Sequence, residues 1–227
     1  MEAEKIIAAA VARGQRALSE YESKQVLQAY GIPVTREKLV KNPDDAVAAA
    51  GEIGYPVVLK ACSPDVMHKS EGGLVMIGLA DEKQLREACE ALAGRLKQAE
   101  ADMLVQEMIS GNRELVVGMN RDPQFGPCVM LGLGGIMTEI LKDTVFRMAP
   151  IDNVEAADMA DQLRSRKILD AFRGQAPVDR EVLYNCLIAA GRIGLDYEMV
   201  QEIDINPLLV SAEGKITAVD ALIILGG

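Results

Sequence analysis

The sequence predicts an α+β protein of two lobes. Three observations lead there: helical and strand signals alternate along the chain, the apolar runs are short and bounded by Gly, Pro or Asp, and no internal repeat or low-complexity linker interrupts them. With 227 residues, 49% of them hydrophobic, the chain can build one large core or two small ones. Residues 2–13 read as a short amphipathic helix, an arm covering 1–16. Ser19-Glu-Tyr-Glu22 is a capping box opening a helix that stops at Gly31, two residues before Pro33. Asn42 ahead of Pro43 caps the next helix, which ends near Gly54. Residues 56–61 and 74–79 read as strands covered on at least one face.

Asp81 caps a helix to about Gln98, with Leu85, Ala88, Cys89, Leu92 and Leu96 at core spacing. A strand over 103–109 follows, and strands at 114–119 and 127–132 flank a turn at 121–126 carrying Asp-Pro and Gly. A helical zone over 153–194, broken at 174–177, precedes strands near 200–204, 207–211 and 216–224. The lobes are expected to be 17–108 and 109–227, meeting near 106–111.

Charge and cysteine content narrow the function. Twenty-four basic and 34 acidic residues give a net charge of −10, so nothing draws the chain as a whole to nucleic acid or an anionic membrane. An anionic ligand must be held by a few local cations and backbone donors. No apolar run approaches the ~20 residues that span a bilayer, and the amino terminus lacks a secretion signature. Cys62, Cys89, Cys128 and Cys186 form no C-x-x-C pair and read as buried free thiols of a cytoplasmic protein.

Four constellations carry chemistry. His68, the only histidine, stands in His-Lys-Ser-Glu-Gly-Gly73, downstream of Lys60 at the end of a strand. Imidazole can accept and pass on a phosphoryl group, Lys60 and Lys69 can neutralise phosphate oxygens, and Gly72 and Gly73 allow close backbone approach. Taken alone, a single histidine fits a structural role as readily. Glu107, Met108 and Ile109 end a strand at the expected junction of the lobes, where a strand edge facing a cleft offers backbone groups that can read an adenine edge. Glu202, Asp204 and Asn206 alternate along one strand, with Asp220 across a hairpin; four oxygen donors suit Mg²⁺ shared with nucleotide phosphates, as they also suit a solvated strand face. Apolar neighbours and Pro207, expected to close the strand, favour a fixed geometry. Gly132-Leu-Gly-Gly135, followed by Glu139, Asp143 and Arg147, is a weak phosphate signal or a tight turn. The P-loop and the dinucleotide G-x-G-x-x-G are both missing.

Assembled, these residues resemble the ATP-grasp family, and more closely the separately encoded beta subunit of ADP-forming acyl-CoA synthetases of the acetate–CoA ligase type. The matching stretches are Ala17-Leu-Ser-Glu-Tyr-Glu-Ser-Lys24, Gly54-Tyr-Pro-Val-Val-Leu-Lys60, Ser63-Pro-Asp-Val-Met-His-Lys-Ser70, Arg113-Glu-Leu-Val-Val-Gly118, Arg121-Asp-Pro-Gln-Phe-Gly-Pro127, Gly132-Leu-Gly-Gly-Ile-Met-Thr-Glu139 and Asp204-Ile-Asn-Pro207. They run in order over nearly the whole chain. The resemblance implies an ATP-grasp fold with a nucleotide cleft between two α/β lobes. It implies that Lys60 contacts the phosphates, that Glu107 to Ile109 hold adenine, that Glu114 approaches the ribose, and that Asn206 and Asp220 bind Mg²⁺. Arg147 would lie beside the phosphates, and His68 would relay a phosphoryl group to ADP from a phosphohistidine on a CoA-binding alpha subunit, in an α2β2 assembly. The net reaction would be acyl-CoA + ADP + phosphate ⇌ acid + CoA + ATP. One position departs from the family pattern: aligned without a gap, Leu74 stands at the second of two expected glycines. Two other readings stay open at this point: a different ATP-grasp carboxylate ligase working through an acyl phosphate, and a nucleotide-sensing subunit without chemistry.

Overall fold

The computed structural model describes residues 2–63, 74–95, 102–135 and 143–226. In chain order the helices are α1 (Glu2–Ala12), α2 (Glu20–Ala29), α3 (Pro43–Ile53), α4 (Glu82–Arg95), α5 (Asn153–Gln162) and α6 (Arg180–Asp196), with a 3₁₀ turn at Arg166–Leu169. The strands are β1 (Glu37–Val40), β2 (Val57–Cys62), β3 (Val75–Leu79), β4 (Asp102–Glu107), β5 (Arg113–Asp122), β6 (Gly126–Leu133), β7 (Thr144–Met148), β8 (Val200–Val210), β9 (Ile216–Ala218) and β10 (Ala221–Leu225). Contacts divide them into two compact units, one of residues 19–21 and 35–108, the other of 1–18, 22–34 and 109–227.

The smaller unit is a four-stranded antiparallel sheet of order β1-β4-β2-β3. Alternation sorts its strands into two faces. Val57, Leu59 and Ala61 of β2 and Met103 and Val105 of β4 pack on Ala46, Ala50 and Ile53 of α3 and Leu85, Cys89 and Leu92 of α4. Val58, Lys60, Leu104 and Gln106 occupy the other face and are buried as well. Helix α3 begins as its sequence demands: the Asn42 side chain accepts the Asp45 N–H at 2.9 Å, and Gly54, at φ +98°, donates its N–H to Ala50 at the far end.

The larger unit is a six-stranded antiparallel sheet of order β10-β8-β5-β6-β7, with β9 also on β8. Its covered face carries Val117, Met119, Val129, Leu131, Ile203, Ile205 and Ile223, in one core with Met159 of α5 and Leu187 and Ile193 of α6. Helix α6 lies close to the sheet because Gly191 and Gly194 face it: a Cβ at either would come within 2.9 Å of Val129 or Met119.

Three features differ from the sequence expectation. The segment 1–34, expected as an arm followed by the start of the first lobe, groups largely with the larger unit. Ala3, Ile7 and Ala10 of α1 and Val26 and Leu27 of α2 enter that core, and backbone bonds from Leu18 to Ile223, Leu225 to Arg16 and Ala218 to Pro33 tie the segment to the sheet. Pro207 does not close a strand. β8 runs through it because Val116 of β5 faces both Asn206 and Pro207, a bulge where the missing N–H is tolerated. Residues 216–224 form two strands, β9 and β10, rather than one. Cys62, Cys89 and Cys186 are buried, Cys128 is half-buried, and none of the four is in a disulfide among the described residues. Among the described residues no helix is long and apolar enough to cross a membrane.

Gly214, at φ +83° in the β8–β9 turn, would put a Cβ 2.0 Å from the Pro177 carbonyl oxygen, whereas Gly31, also at +83°, has open space there. Gly31→Ala is expected to lose the left-handed penalty of about 1–2 kcal/mol. Gly214→Ala should lose clearly more in urea denaturation, because the 176–179 segment must shift; equal losses would show that the contact is immaterial.

Candidate functional site

In the smaller unit the site begins at Lys60. Its ammonium donates to Glu20 Oε1 at 2.7 Å, and both side chains are almost fully buried, at 5% and 1% exposure. Strand register sets Lys60 between Val75 of β3 and Leu104 of β4, on the face away from α3 and α4. Two buried charges are tolerated because each answers the other. At the end of β4, Glu107 accepts from the Arg36 backbone N–H at 2.7 Å and from Arg36 Nε at 2.8 Å, and returns its own N–H to the Arg36 carbonyl. The carboxylate of Glu107 is thus engaged in fixing the strand end, and the chain passes between the two units at Met108 and Ile109, with Met108 exposed.

The larger unit gathers its acids on the face of the sheet opposite the helices. Asp204 sits on β8 between Gly118 of β5 and Leu222 of β10, with Glu202 two residues before it and Asn206 two after. Asn206 donates its backbone N–H to the Asp220 carbonyl at 3.3 Å, so these two residues stand side by side at the start of β10. Burial first, then the carboxylates of Glu202 and Asp220, push Asp204 up to about 6. No group of three or more His, Cys, Asp or Glu among the described residues is arranged to hold a metal by itself. Asn206 and Asp220 supply two hard oxygen donors, a set that fits Mg²⁺ completing its shell with phosphate and water.

Glu114 shares this face, and it explains Gly134 and Gly135. Gly134 donates its N–H to the Glu114 carbonyl at 2.7 Å. A Cβ at Gly134 would lie 2.8 Å from Glu114 Cβ, and one at Gly135, where φ is +67°, would lie 2.6 Å from its Oε2. The glycines make room for this acid. Phe146 and Met148 of β7 lie exposed on the same face, opposite Met130 and Cys128.

Arg147 is not brought to that face. It pairs in register with Val129 on the helix side, where its guanidinium donates to Asp158 of α5 at 2.5 Å. His68, Lys69, Gly72 and Gly73 lie in the connection from β2 to β3, and they, with Glu139, fall outside the described residues. Leu74 at the end of that connection accepts the Ala61 N–H at 3.0 Å and packs on the core of the smaller unit, so its side chain has a structural use.

Sequence reasoning gave no structural role to four charged side chains, Glu20, Arg113, Arg121 and Asp143, of which all but the half-buried Arg121 are buried. Glu20 reads as part of a helix cap, and only its place in the matched stretch 17–24 hints at more. Arg113 donates to the carbonyls of Ile168, Asp170, Ala176 and Ser211, and Arg121 to those of Gly194, Tyr197 and Val200. Asp143 accepts the amides of Arg164 and Ser165 at 2.9 and 2.8 Å; burial opposes its charge, but those bonds hold the carboxyl below its ordinary range.

A family model described as an ATP-grasp domain matches residues 9–225. The chain is 42% identical over 215 residues to the ADP-forming acetate–CoA ligase I subunit beta of Pyrococcus furiosus, covering 92% of each chain. It is similar to dinucleotide-forming acetyl-coenzyme A synthetase 1 of Ca. Korarchaeum cryptofilum, solved in complex with coenzyme A, Ca-AMPCP and HgCl+. That comparison gives a TM-score of 0.92 and 42% identity over 98% of this chain and 99% of that one. A second structure of that synthetase, with coenzyme A and Mg-AMPPCP, has its phosphohistidine segment pointing towards the nucleotide binding site. It matches with a TM-score of 0.88 and 41% identity over 99% and 100% of the two chains.

Glu20→Gln removes the carboxylate that balances Lys60 and is expected to lower stability by about 3–5 kcal/mol in urea denaturation, with Glu20→Leu/Lys60→Met recovering most of the loss. A loss below about 1 kcal/mol would mean the pair is not what holds these groups in the interior. The raised Asp204 carboxyl acts through pH. Between its ordinary value and about 6 the native state keeps a proton that the unfolded chain has released. Stability therefore falls as pH rises through that window, by up to about 3 kcal/mol at neutral pH. In EDTA, Asp204→Asn should raise the melting temperature at pH 7.5 and leave it nearly unchanged at pH 4; a pH-independent difference would refute this origin.

Proposed function

The chain belongs to the ATP-grasp family, and from that premise we propose that it is the nucleotide-binding catalytic subunit of an ADP-forming acyl-CoA synthetase. The reaction is acyl-CoA + ADP + phosphate ⇌ acid + CoA + ATP, and this chain's share is the exchange of a phosphoryl group between the nucleotide and a phosphohistidine on a CoA-binding companion subunit. The observation that carries the reading is the full-length likeness to a synthetase solved with coenzyme A, a Mg²⁺-bound nucleotide analogue and a phosphohistidine segment turned towards the nucleotide site. An α2β2 assembly in the cytoplasm accords with a separately encoded beta subunit and with four cysteines outside any disulfide.

Each residue then has a task. Lys60, oriented by Glu20, meets the nucleotide phosphates from the smaller unit. The strand end from Glu107 to Ile109 offers its backbone to adenine, Arg36 keeping Glu107 in register. Glu114, fitted against Gly134 and Gly135, approaches the ribose. Asn206 and Asp220 hold Mg²⁺, which when bound neutralises charge on the phosphates. His68 is the relay, with Lys69, Gly72 and Gly73 beside the transferred group. When ATP forms, the N–P bond of phospho-His68 breaks, a terminal oxygen of ADP takes the phosphorus, and the imidazole takes a proton from water. Such a transfer needs positioning and charge neutralisation more than covalent help. Arg147, engaged with Asp158, serves to bind β7 to α5 rather than to touch phosphate.

The test is transfer from γ-labelled ATP and Mg²⁺ to the companion subunit in the reconstituted complex. Wild type should label the companion, and His68→Ala should abolish that label while leaving nucleotide binding intact. Asp220→Ala should raise the Mg²⁺ needed for half-maximal transfer. Label reaching the companion equally with and without His68 would remove the relay, and no labelling by wild type would remove the ligase reading.

A further inference from the structure

The face of the larger sheet that carries the acids has a second character along its other edge. Strand register lines up its side chains in rows across the strands. One row runs Asp204, Gly118, Met130, Phe146, and the next runs Glu202, Asn120, Cys128, Met148. Acids therefore stand on β8 and large apolar side chains on β7, with β5 and β6 between them. Three strand spacings separate β8 from β7, about 14 Å. The middle is low, because Gly118 has no side chain and Met130 is laid over it: a Cβ at Gly118 would lie 3.3 Å from Met130 Cε. The result is a trough with one acidic bank and one apolar bank, wide enough for an extended segment or a single helix.

The apolar bank is exposed although it is fixed in place. Phe146 and Met148 are 55% and 56% exposed, and among the described residues no other strand of this sheet shows large apolar side chains to that degree. Fraying does not account for it. Val145 packs against the core on the opposite face, Arg147 pairs there with Asp158 of α5, and β7 is in register with β6 from Thr144 to Met148. Its position matters for the function proposed above, on which the next step rests. With ribose at Glu114 and Mg²⁺ at Asn206 and Asp220, the phosphate chain of the nucleotide runs from Glu114 towards the row of Asp204 and Phe146. That row lies two residues, about 7 Å, beyond Val116, the residue of β5 that faces Asn206. A phosphoryl donor in line with the phosphate chain must approach over these rows.

We propose that the trough seats the segment of the companion subunit that carries the phosphohistidine, with Phe146 and Met148 receiving an apolar side chain that flanks the histidine. Charge and polarity restrict what that segment is. Glu202 and Asp204 repel a further acid and favour a basic or neutral residue facing β8. The β7 bank carries no charge on this face, so a segment gains there by covering the phenylalanine and the methionine with apolar surface. Continuity with the nucleotide site excludes a second copy of this chain as the working occupant, since a copy seated there would cover the phosphate end and bar the transfer.

The test uses the reconstituted complex. Both side chains are exposed, so Phe146→Ser/Met148→Ser is expected to fold, and Phe146→Leu/Met148→Leu serves as the conservative pair. The serine pair should raise the companion concentration needed for half-maximal labelling from γ-labelled ATP about tenfold or more, with Mg-ADP affinity unchanged. The leucine pair should restore it. In parallel, benzoylphenylalanine placed at position 146 should crosslink on illumination to the companion peptide that holds the phosphorylated histidine. Three results would each overturn the proposal: wild-type labelling kinetics in the serine pair, a parallel loss of Mg-ADP affinity, or a crosslink only to another part of the companion or to a second copy of this chain. If the wild type labels no companion at all, the proposed function falls and the crosslink alone decides. A crosslink to the histidine peptide would then keep the docking surface, and its absence would overturn that as well.

Discussion

The larger unit is organised by the central strand β8, bonded to β5 on one side and to β10 and β9 on the other. Its period of two forces Ile203 and Ile205 into the core and Glu202, Asp204 and Asn206 onto the opposite face. A one-residue slip would bury three polar side chains and expose the isoleucines, so the register that makes the core also makes the site. The bulge at Asn206 and Pro207 completes the arrangement. It lets β8 continue to Val210, where β9 and the start of β5 are paired, while Asn206 comes level with Asp220. Site and scaffold are two faces of one strand.

The protein buries several charges, and it does so in two physically different ways. Lys60 and Glu20 cancel each other as ions, in a dielectric where neither would persist alone. Arg113, Arg121 and Asp143 use the backbone instead: the arginines collect carbonyls and the aspartate collects amides. The second mode binds distant chain segments without neutralising them. Arg121 draws the end of α6 and the start of β8 to the β5–β6 hairpin, and Arg113 joins the 3₁₀ turn, the 176 region and the end of β8 to the start of β5. Rigidity and residual charge therefore arise together.

Much of this was legible in the sequence, and the reasons for the rest are specific. Helix α3 announced itself through Asn42, Pro43 and Gly54 because capping is a local interaction, complete within a few residues. β2, β4, β5 and β6 were legible because they are interior strands with continuous apolar runs. β1 and β7 were not, since each lies at the edge of its sheet, half exposed, and reads as loop. Pro207 misled because the rule against proline in a strand has its exception at bulges, and a bulge depends on the partner strand. On the site, Asn206 and Asp220 could be paired from the hairpin pattern. The tie of Lys60 to Glu20 spans forty residues and carries no spacing signal, and Arg147 could not be assigned to a face without the register of β7.

Electrostatics give the site its direction. The face that gathers Asp204, Glu202 and Asp220 belongs to a chain of net charge −10, and the raised Asp204 carboxyl records its burial first and then the opposition of Glu202 and Asp220. A nucleotide is itself a polyanion and would meet the same opposition there. Repulsion of that kind is removed by a cation, not by the nucleotide, so Mg²⁺ and nucleotide are expected to bind as one unit, each improving the other's fit. Lys60 of the smaller unit adds no net charge either, since Glu20 already answers it.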